Sequence, residues 1–373
     1  MSAITPSSMQ LNKLKWETTT EYNTGLDATF LKGKLRFTVD VYQKYVKDLL
    51  QPKVKMPTTI GYGNGYQISY MNSGKMTNKG WEFRVDAVPF QNKDWRVGVY
   101  FNIAHNENKI TEMPDNYIEE NYTFGNGNYA YRREEGRPMG SFYGYRYKGV
   151  YQNKDATYAR DIEGNVMKDI SGNAIVMRNG SYTVAPGDAI YEDVNHDGVI
   201  NQYDIVYLGN SNPRLTGGAG LNVSYKQFKL SAIFYGRYGQ DVVNATRLNN
   251  ESMRGIDNQS TAVLRRWRNE GDQTDIPRAL YGEGYNTLGS DRFVEDASYL
   301  RLKSLSFTYR LPKKAIQRWG FNNIDVYVTG YNLFTWTKYT GQDPEVKTEN
   351  TYARDTATTP ASIQLVAGFN LSF

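Results

Sequence analysis

Cysteine is absent from the 373-residue chain, and histidine occurs only as His105 and His196. The first absence excludes thiol catalysis, thiolate-held zinc and a disulfide framework. The second leaves almost nothing for histidine-based catalysis or metal binding. Long apolar runs are missing as well. A membrane-spanning helix needs about 20 consecutive apolar residues, whereas 39% of this chain is hydrophobic and its mean hydropathy is -0.65. A helical membrane protein is thereby ruled out. Charge of one sign is not in excess: 44 basic residues meet 39 acidic ones, and the basic residues are dispersed. The pattern lacks the basic stripe of a nucleic-acid binder. No nucleophile elbow, phosphate loop or metallohydrolase histidine pair is found, so catalysis is not expected. Met1–Lys15 shows neither the charged nor the apolar region of a secretory leader. What is plentiful is aromatic side chains (14%, with 31 Tyr against 15 Phe) and 34 Gly. Disordered chains are poor in aromatics, so the composition points to an ordered all-β architecture with sizeable loops.

Period-2 alternation dominates the chain, placing apolar residues on one strand face and polar residues on the other. Leu35, Phe37, Val39 and Val41 alternate with Lys34, Arg36, Thr38 and Asp40. Phe83, Val85 and Ala87 do so with Glu82, Arg84 and Asp86, and Trp95, Val97, Val99, Phe101 and Ile103 continue the pattern. Further series run through Ala219–Tyr225, Phe228–Phe234 and Ile363–Phe373. Several extend over about 10 residues, the length of a transmembrane β-strand, and their opposite faces suit a wet lumen. A soluble β-sandwich also alternates, but its strands are usually about 5–6 residues long.

Connection lengths sharpen the expectation. Short links at Leu31–Lys34, Phe90–Asp94 and Lys226–Phe228 alternate with long ones at Gln51–Tyr70, Glu107–Leu215, Gln240–Arg292 and Lys338–Pro360. Leu311–Asn323 is the one longer link on the short side. Short turns at one end and long loops at the other is the pattern of an outer-membrane barrel. About nine spanning segments are expected, near 20–32, 34–49, 71–89, 94–106, 214–227, 228–240, 293–311, 323–337 and 360–373. Nine is odd, so the first and last strands run the same way and cannot close as an antiparallel pair. The segments therefore read as an antiparallel transmembrane β-barrel portion, part of a larger barrel.

Four features carry candidate chemistry. Asp193, Asn195, Asp197, Val199 and Asp204 stand at positions 1, 3, 5, 7 and 12 of a loop with Gly198 at position 6. That is the spacing of an EF-hand-like calcium loop, with Asp204 in place of the usual bidentate glutamate and no clear flanking helix. It points to structural Ca2+; the alternative is an Asx-rich turn held by its own hydrogen bonds. Tyrosine clusters at Tyr62 and Tyr66, at Tyr122, Phe124, Tyr129 and Tyr131, and at Phe142–Tyr151 fall in long loops or strand tops. Tyr129, Tyr131, Arg132, Arg133, Tyr143 and Tyr145 are expected to face ligand; the alternative is a membrane-interface girdle, which Phe334, Trp336 and Tyr339 fit best. Charge runs at Arg132–Arg137 and Arg265–Arg268 line a ligand route or dock a partner, or are solvated loop faces. Phe373 ends the last alternating strand, which is an exposed edge until it is paired.

The residues then become recognisable. Leu14–Leu50 resembles a hairpin of the SusC/RagA-type TonB-dependent outer-membrane transporters of Bacteroidetes, and Asn72–Ala87 resembles the strand that follows it. Gly136–Gln152, Gly187–Tyr225, Phe293–Pro312, Val326–Val346 and Gln364–Phe373 are similar to further segments of that family, in the family's own order. The resemblance implies the C-terminal part of a barrel of about 22 strands. It divides the chain into a lead-in segment at 1–19 and a barrel portion at 20–373, with extracellular loops at 107–213 and 241–292. Signal peptide, plug domain and TonB box are not expected within it. It also implies import of an oligosaccharide or peptide substrate across the outer membrane and a SusD-like surface lipoprotein over the loops. TonB would act through the plug region, alongside the remaining N-terminal barrel of the same transporter. Phe373 would be the signal read by the outer-membrane assembly machinery. The chain alone is expected to be inactive in transport. The runner-up is a soluble β-sandwich glycan-binding or adhesion protein with a calcium-stabilised loop.

Overall fold

The computed structural model describes residues 14–55, 67–72, 74–113, 127–349 and 352–373. Nine long strands form one continuous antiparallel sheet in chain order. They are β1 (Thr18–Phe30), β2 (Leu35–Lys47), β3 (Lys75–Gln91), β4 (Trp95–Glu112), β5 (Leu215–Tyr225), β6 (Phe228–Tyr238), β7 (Tyr299–Arg310), β8 (Asn323–Thr337) and β9 (Gln364–Ser372). Every strand pairs with its sequence neighbour, and β1 and β9 are the two edges. This is an open, partial barrel wall. Among the described residues no second sheet stacks on this one as in a sandwich, so the β-sandwich alternative is set aside.

The register explains the alternation. Leu221 lies opposite both Val99 and Ala232, and Ala219 opposite both Phe101 and Phe234. Apolar side chains therefore align across strands into one band. Phe101, Phe307, Val328, Leu365 and Phe369 on that band are exposed. Aromatic rings border it at both ends. Near the short turns the Trp95–Tyr225, Phe228–Tyr309 and Phe30–Phe37 ring centres lie 4.3, 4.9 and 5.6 Å apart. Near the long loops Trp81–His105 and Phe234–Trp336 lie 6.0 and 6.5 Å apart. Between these belts run the 11-residue strands β5 and β6. They are about 35 Å long, or ~25 Å in height at a barrel tilt of about 45°, which matches a bilayer's apolar thickness.

The turns follow from local chemistry. Lys32 and Gly33 take positive φ of 57° and 85° in the β1–β2 link. Asn92 Oδ1 accepts from the Asp94 and Trp95 N–H groups at 2.9 and 2.8 Å, an Asx turn that joins β3 to β4. The β7–β8 link holds a short helix at Lys313–Ile316 and a following helical turn capped by Gly320 with φ 79°.

Three expected boundaries shift. β4 runs on to Glu112 rather than ending near 106, so β3 and β4 have 17 and 18 residues and rise above the apolar band. Cross-strand Lys79–Glu107 (2.9 Å) and Lys75–Glu112 ion pairs hold this extension, and its mostly polar composition hides it from apolar patterning. The segment expected at 71–89 divides: Gln67–Asn72 pairs with Leu50–Lys55 before the chain turns at Gly74, φ 96°. The segment expected at 293–311 also divides, because Val294–Asp296 pairs with Asp241–Asn244 instead of joining the main sheet.

Three of the long connections pack together as a lobe at the long-loop end. Tyr145 N–H donates to the Gly289 carbonyl at 2.9 Å and Tyr129 Oη to the Ser290 carbonyl at 2.7 Å. Asp241–Asn244 pairs in parallel with Tyr352–Asp355, which ties in the third connection.

Candidate functional site

The polar face of the sheet carries a chain of small ionic and hydrogen-bonded pairs. Arg36 meets Asp27 at 3.6 Å, Lys44 meets Glu21 at 3.2 Å and Arg310 meets Asp325 at 2.7 Å across neighbouring strands. Arg84 meets Asp86 at 2.7 Å along β3. Tyr42 Oη donates to Asn106 Oδ1 at 3.0 Å, and Ser231 Oγ to Asn222 Oδ1 at 2.9 Å. Exposed pairs of this kind contribute little to stability. Their effect is to make a hydrated wall of mixed sign.

The lobe above is built around buried charges. Asp188 is fully buried, and its carboxylate accepts from Arg278 Nε (2.7 Å), Tyr182 Oη (2.7 Å), the Ala185 N–H (2.8 Å) and Asn286 Nδ2 (3.2 Å). Asn286 Oδ1 in turn accepts the Ala189 N–H at 2.8 Å, which fixes the amide's orientation. Gly187, at φ 88°, lies so close to the Trp267 ring that a Cβ there would fall 2.2 Å from it. A second node joins Arg292 and Arg247 to Glu251 at 2.9 and 3.0 Å, and Arg247 to Glu295 at 3.0 Å. Burial raises the Glu295 carboxyl, but the Thr340 and Arg247 donors outweigh it and hold it below the usual range. At the rim of the sheet Arg301, itself buried, binds Asp343, Glu345 (2.8 Å) and Thr335 Oγ1 (2.8 Å). The 341–346 segment is thereby drawn down onto the polar face.

The tyrosines expected to face ligand are mostly interior. Tyr143 and Tyr145 are 1% exposed, and Tyr129 is buried against Phe142 and Tyr352. They pack into the lobe's core. Arg132 stacks over the Tyr143 ring at 5.1 Å, and Glu134 accepts from Tyr143 Oη at 2.8 Å. The charge run Arg132–Arg137 thus lids this core, with Arg137 over Tyr207 at 4.3 Å. Arg133 is half-buried within the same run. The side chain of Tyr131, and Tyr62, Tyr66, Tyr122 and Phe124, lie outside the described residues. Tyr339 is buried and donates to Asp355 at 2.7 Å, so it belongs to the lobe and not to the girdle; Phe334 and Trp336 are girdle residues, 6.1 Å apart.

The 193–204 loop is stitched by its own side chains. Asp193 accepts from the Asp197 and Gly198 N–H groups at 3.2 and 2.8 Å, and Asp197 from the Val199 N–H at 2.8 Å. Asp204 is fully buried and accepts from the Val194 and Asn201 N–H groups at 2.8 Å each, as half of a capping box. Burial raises its carboxyl, and the charges of Asp193 and Asp197 raise it further. Among the described residues no three acidic or histidine side chains converge as a cation cage. Sequence reading missed two relatives of this loop. Asp161–Asn165 and Asp169–Asn173 share the pattern Asp-Ile-x-Gly-Asn eight residues apart, and each Asp accepts the N–H of the residue four ahead at 2.8 Å. The repeat itself was the available signal. Phe373 is exposed at the end of edge strand β9, beside Phe321 at 4.9 Å.

Residues 3–333 match the family described as TonB dependent receptor-like, beta-barrel. The chain belongs to this family. It is 32% identical over 346 residues to TonB-dependent receptor P3 of Formosa agariphila, covering 91% of this chain and 32% of that protein. Against TonB-dependent receptor SusC of Bacteroides thetaiotaomicron identity is 30% over 369 residues, covering 96% of this chain and 32% of SusC. The fold superposes on the RagAB peptide transporter with a TM-score of 0.73 and 27% identity, covering 96% of this chain and 36% of that one. The chain thus spans about a third of the length of the relatives it matches, and it is SusC/RagA-like in both sequence and fold. In a TonB-dependent barrel the apolar band faces lipid, the polar face lines the lumen, and the lobe made by long loops lies on the extracellular side.

Proposed function

We propose that this chain supplies C-terminal barrel wall and extracellular loops to a SusC/RagA-like TonB-dependent transporter that imports oligosaccharides or peptides across the outer membrane. The observation that carries this reading is the open nine-stranded sheet with one lipid-type face and one hydrated, charged face. The similarity to SusC and to the RagAB peptide transporter supports the substrate class. A SusD-like lipoprotein would rest on the lobe. TonB would act through a plug held inside the complete barrel, and the assembly machinery would engage Phe373 on edge strand β9. The chemistry performed is passage and capture, not bond making. Structural calcium at Asp193, Asn195, Asp197, Val199 and Asp204 belongs to the same reading on the loop's EF-hand-like spacing alone.

Transport by this segment alone is not expected, since β1 and β9 leave the wall open. The test compares TonB-dependent uptake of oligosaccharide and peptide pools by cells making the complete transporter and by cells making only the 373-residue chain. Uptake should be lost in the second case, and recovering it there overturns the reading. In the native outer membrane, the polypeptide carrying the Gln364–Phe373 peptide should be far larger than 42.6 kDa.

A further inference from the structure

Just below the rim of the luminal face, cationic and aromatic side chains gather on β6 and β7. Register places Arg237 opposite Tyr299 and Tyr235 opposite Arg301. Lys303, at the bulge in β7, reaches the same group: its Nζ lies 5.8 Å from the Tyr235 ring centre and 2.8 Å from Glu345. Arg301 is neutralised by Asp343 and Glu345. Three cations (Arg237, Arg301, Lys303) against two carboxylates (Asp343, Glu345) leave one positive charge, and it resides on Arg237. Arg237 Nε donates to Tyr235 Oη at 3.2 Å, and among the described residues no carboxylate lies within ion-pair distance of it. Tyr299 supplies the second, independent observation. It is 5% exposed, and its hydroxyl has no hydrogen-bond partner. The charged groups that act on that hydroxyl are Glu345, Arg237 and Arg301. A buried hydroxyl without a partner is costly and rare in a native structure. Here it stands in register with a guanidinium that has unused N–H groups.

We propose that Arg237 and the Tyr299 hydroxyl form a carboxylate-binding subsite for the imported ligand, with the Tyr235 ring as its apolar wall. A guanidinium offers two parallel N–H donors to the two oxygens of a carboxylate. The Tyr299 O–H adds a third donor, and the neighbouring Tyr235 ring offers a face to a sugar or an aliphatic side chain. Glu345 and Asp343, already held by Arg301 and Lys303, keep the site from becoming a general anion trap. The inference rests on the import reading and narrows its substrate class to ligands bearing a carboxylate. That group is either a peptide carboxylate or a uronic acid of an oligosaccharide.

The test uses the complete transporter purified from the outer membrane and calorimetric binding of two matched ligand pairs. One pair is an acidic peptide and its amidated form; the other is an oligouronate and a neutral oligosaccharide of equal length. Arg237→Gln should weaken the acidic member of one pair about tenfold or more while leaving its neutral partner within about twofold. Arg237→Lys should recover part of the loss, and Tyr299→Phe, which keeps the ring, should weaken the same ligand by a smaller factor. Whichever pair responds identifies the source of the carboxylate. Heat-modifiable mobility confirms that each variant is folded. Equal shifts for acidic and neutral members, or wild-type binding of neutral members alone, overturn the subsite while TonB-dependent import stands. Absence of any TonB-dependent uptake brings down the import reading, and the subsite with it.

Discussion

Replacing Arg278 with methionine should loosen the long-loop lobe and leave the barrel strands intact. The side chain bridges two long connections by binding Asp188, whose carboxylate is fully buried. Stranding one partner of a buried ion pair costs about 3–5 kcal/mol. Two facts reduce that here. Tyr182, Ala185 and Asn286 still donate to Asp188 after the change, and the Arg278 side chain is 32% exposed, so solvent screens part of the interaction. A loss of about 2 kcal/mol is the resulting expectation, equivalent to roughly thirtyfold more frequent local opening. Native-state hydrogen exchange reads it directly. The reporters are the Arg278 N–H on the Gly187 carbonyl (2.7 Å), the Tyr151 N–H on the Asp188 carbonyl (2.9 Å) and the Ala189 N–H on Asn286 (2.8 Å). Amides of β5 and β6 serve as internal controls. Adding Asp188→Asn should cost less than the sum of the two single changes, because the second removes the charge that the first stranded. Exchange at the three reporters that changes less than about threefold, or that changes equally in β5 and β6, would refute the reasoning.

Three further outcomes are expected. Burial raises the Asp343 carboxyl, but the Ala361 and Glu345 N–H groups and the Arg301 guanidinium win and hold it below the usual carboxylate range. A depressed carboxyl stabilises above its unfolded value, near pH 4, and the contribution is lost as pH falls through the folded one. Proteolysis within 338–363 should therefore begin only in acid, whereas Asp343→Asn, which has no carboxyl to titrate, should be cut already at neutral pH; identical profiles would speak against the tether. Millimolar Ca2+ should slow amide exchange across 193–204, and chelation should restore it; an unchanged rate would leave the loop as a self-bonded turn. Phe373→Ala should lower the amount of folded transporter in the outer membrane several-fold at equal synthesis, and an unchanged yield would remove Phe373 from assembly.

The spanning strands were legible because lipid on one side and water on the other impose a strict two-residue period. Trp95–Ile103 and Gln364–Phe373 announce their faces without help from any other part of the chain. The top of the β3–β4 hairpin was not legible, since Glu107–Glu112 is held by cross-strand charges and carries little apolar contrast. The lobe was harder still. Ser141–Gly144 is buried on both faces, so it has no alternation to read, and Gly144 lies against Gly289, more than 140 residues away. Tyrosine is equally at home in a binding groove and in a polar-rimmed core, so Tyr129, Tyr143 and Tyr145 gave no hint of which they occupy. The Arg237–Tyr299 pair needs the strand register before it exists at all.

The direction of the two open edges also limits what this wall can seal against. β1 descends from the long-loop end to the short-turn end, and so does β9. Two copies inserted with the same side outward would present only descending strands to one another. Their ladders would have to be parallel at every seam, a pairing foreign to these barrels. Antiparallel closure demands a complement that starts and ends on ascending strands, and such a complement has an odd number of strands. The wall thus distinguishes self from partner by polarity alone, before any side chain is compared.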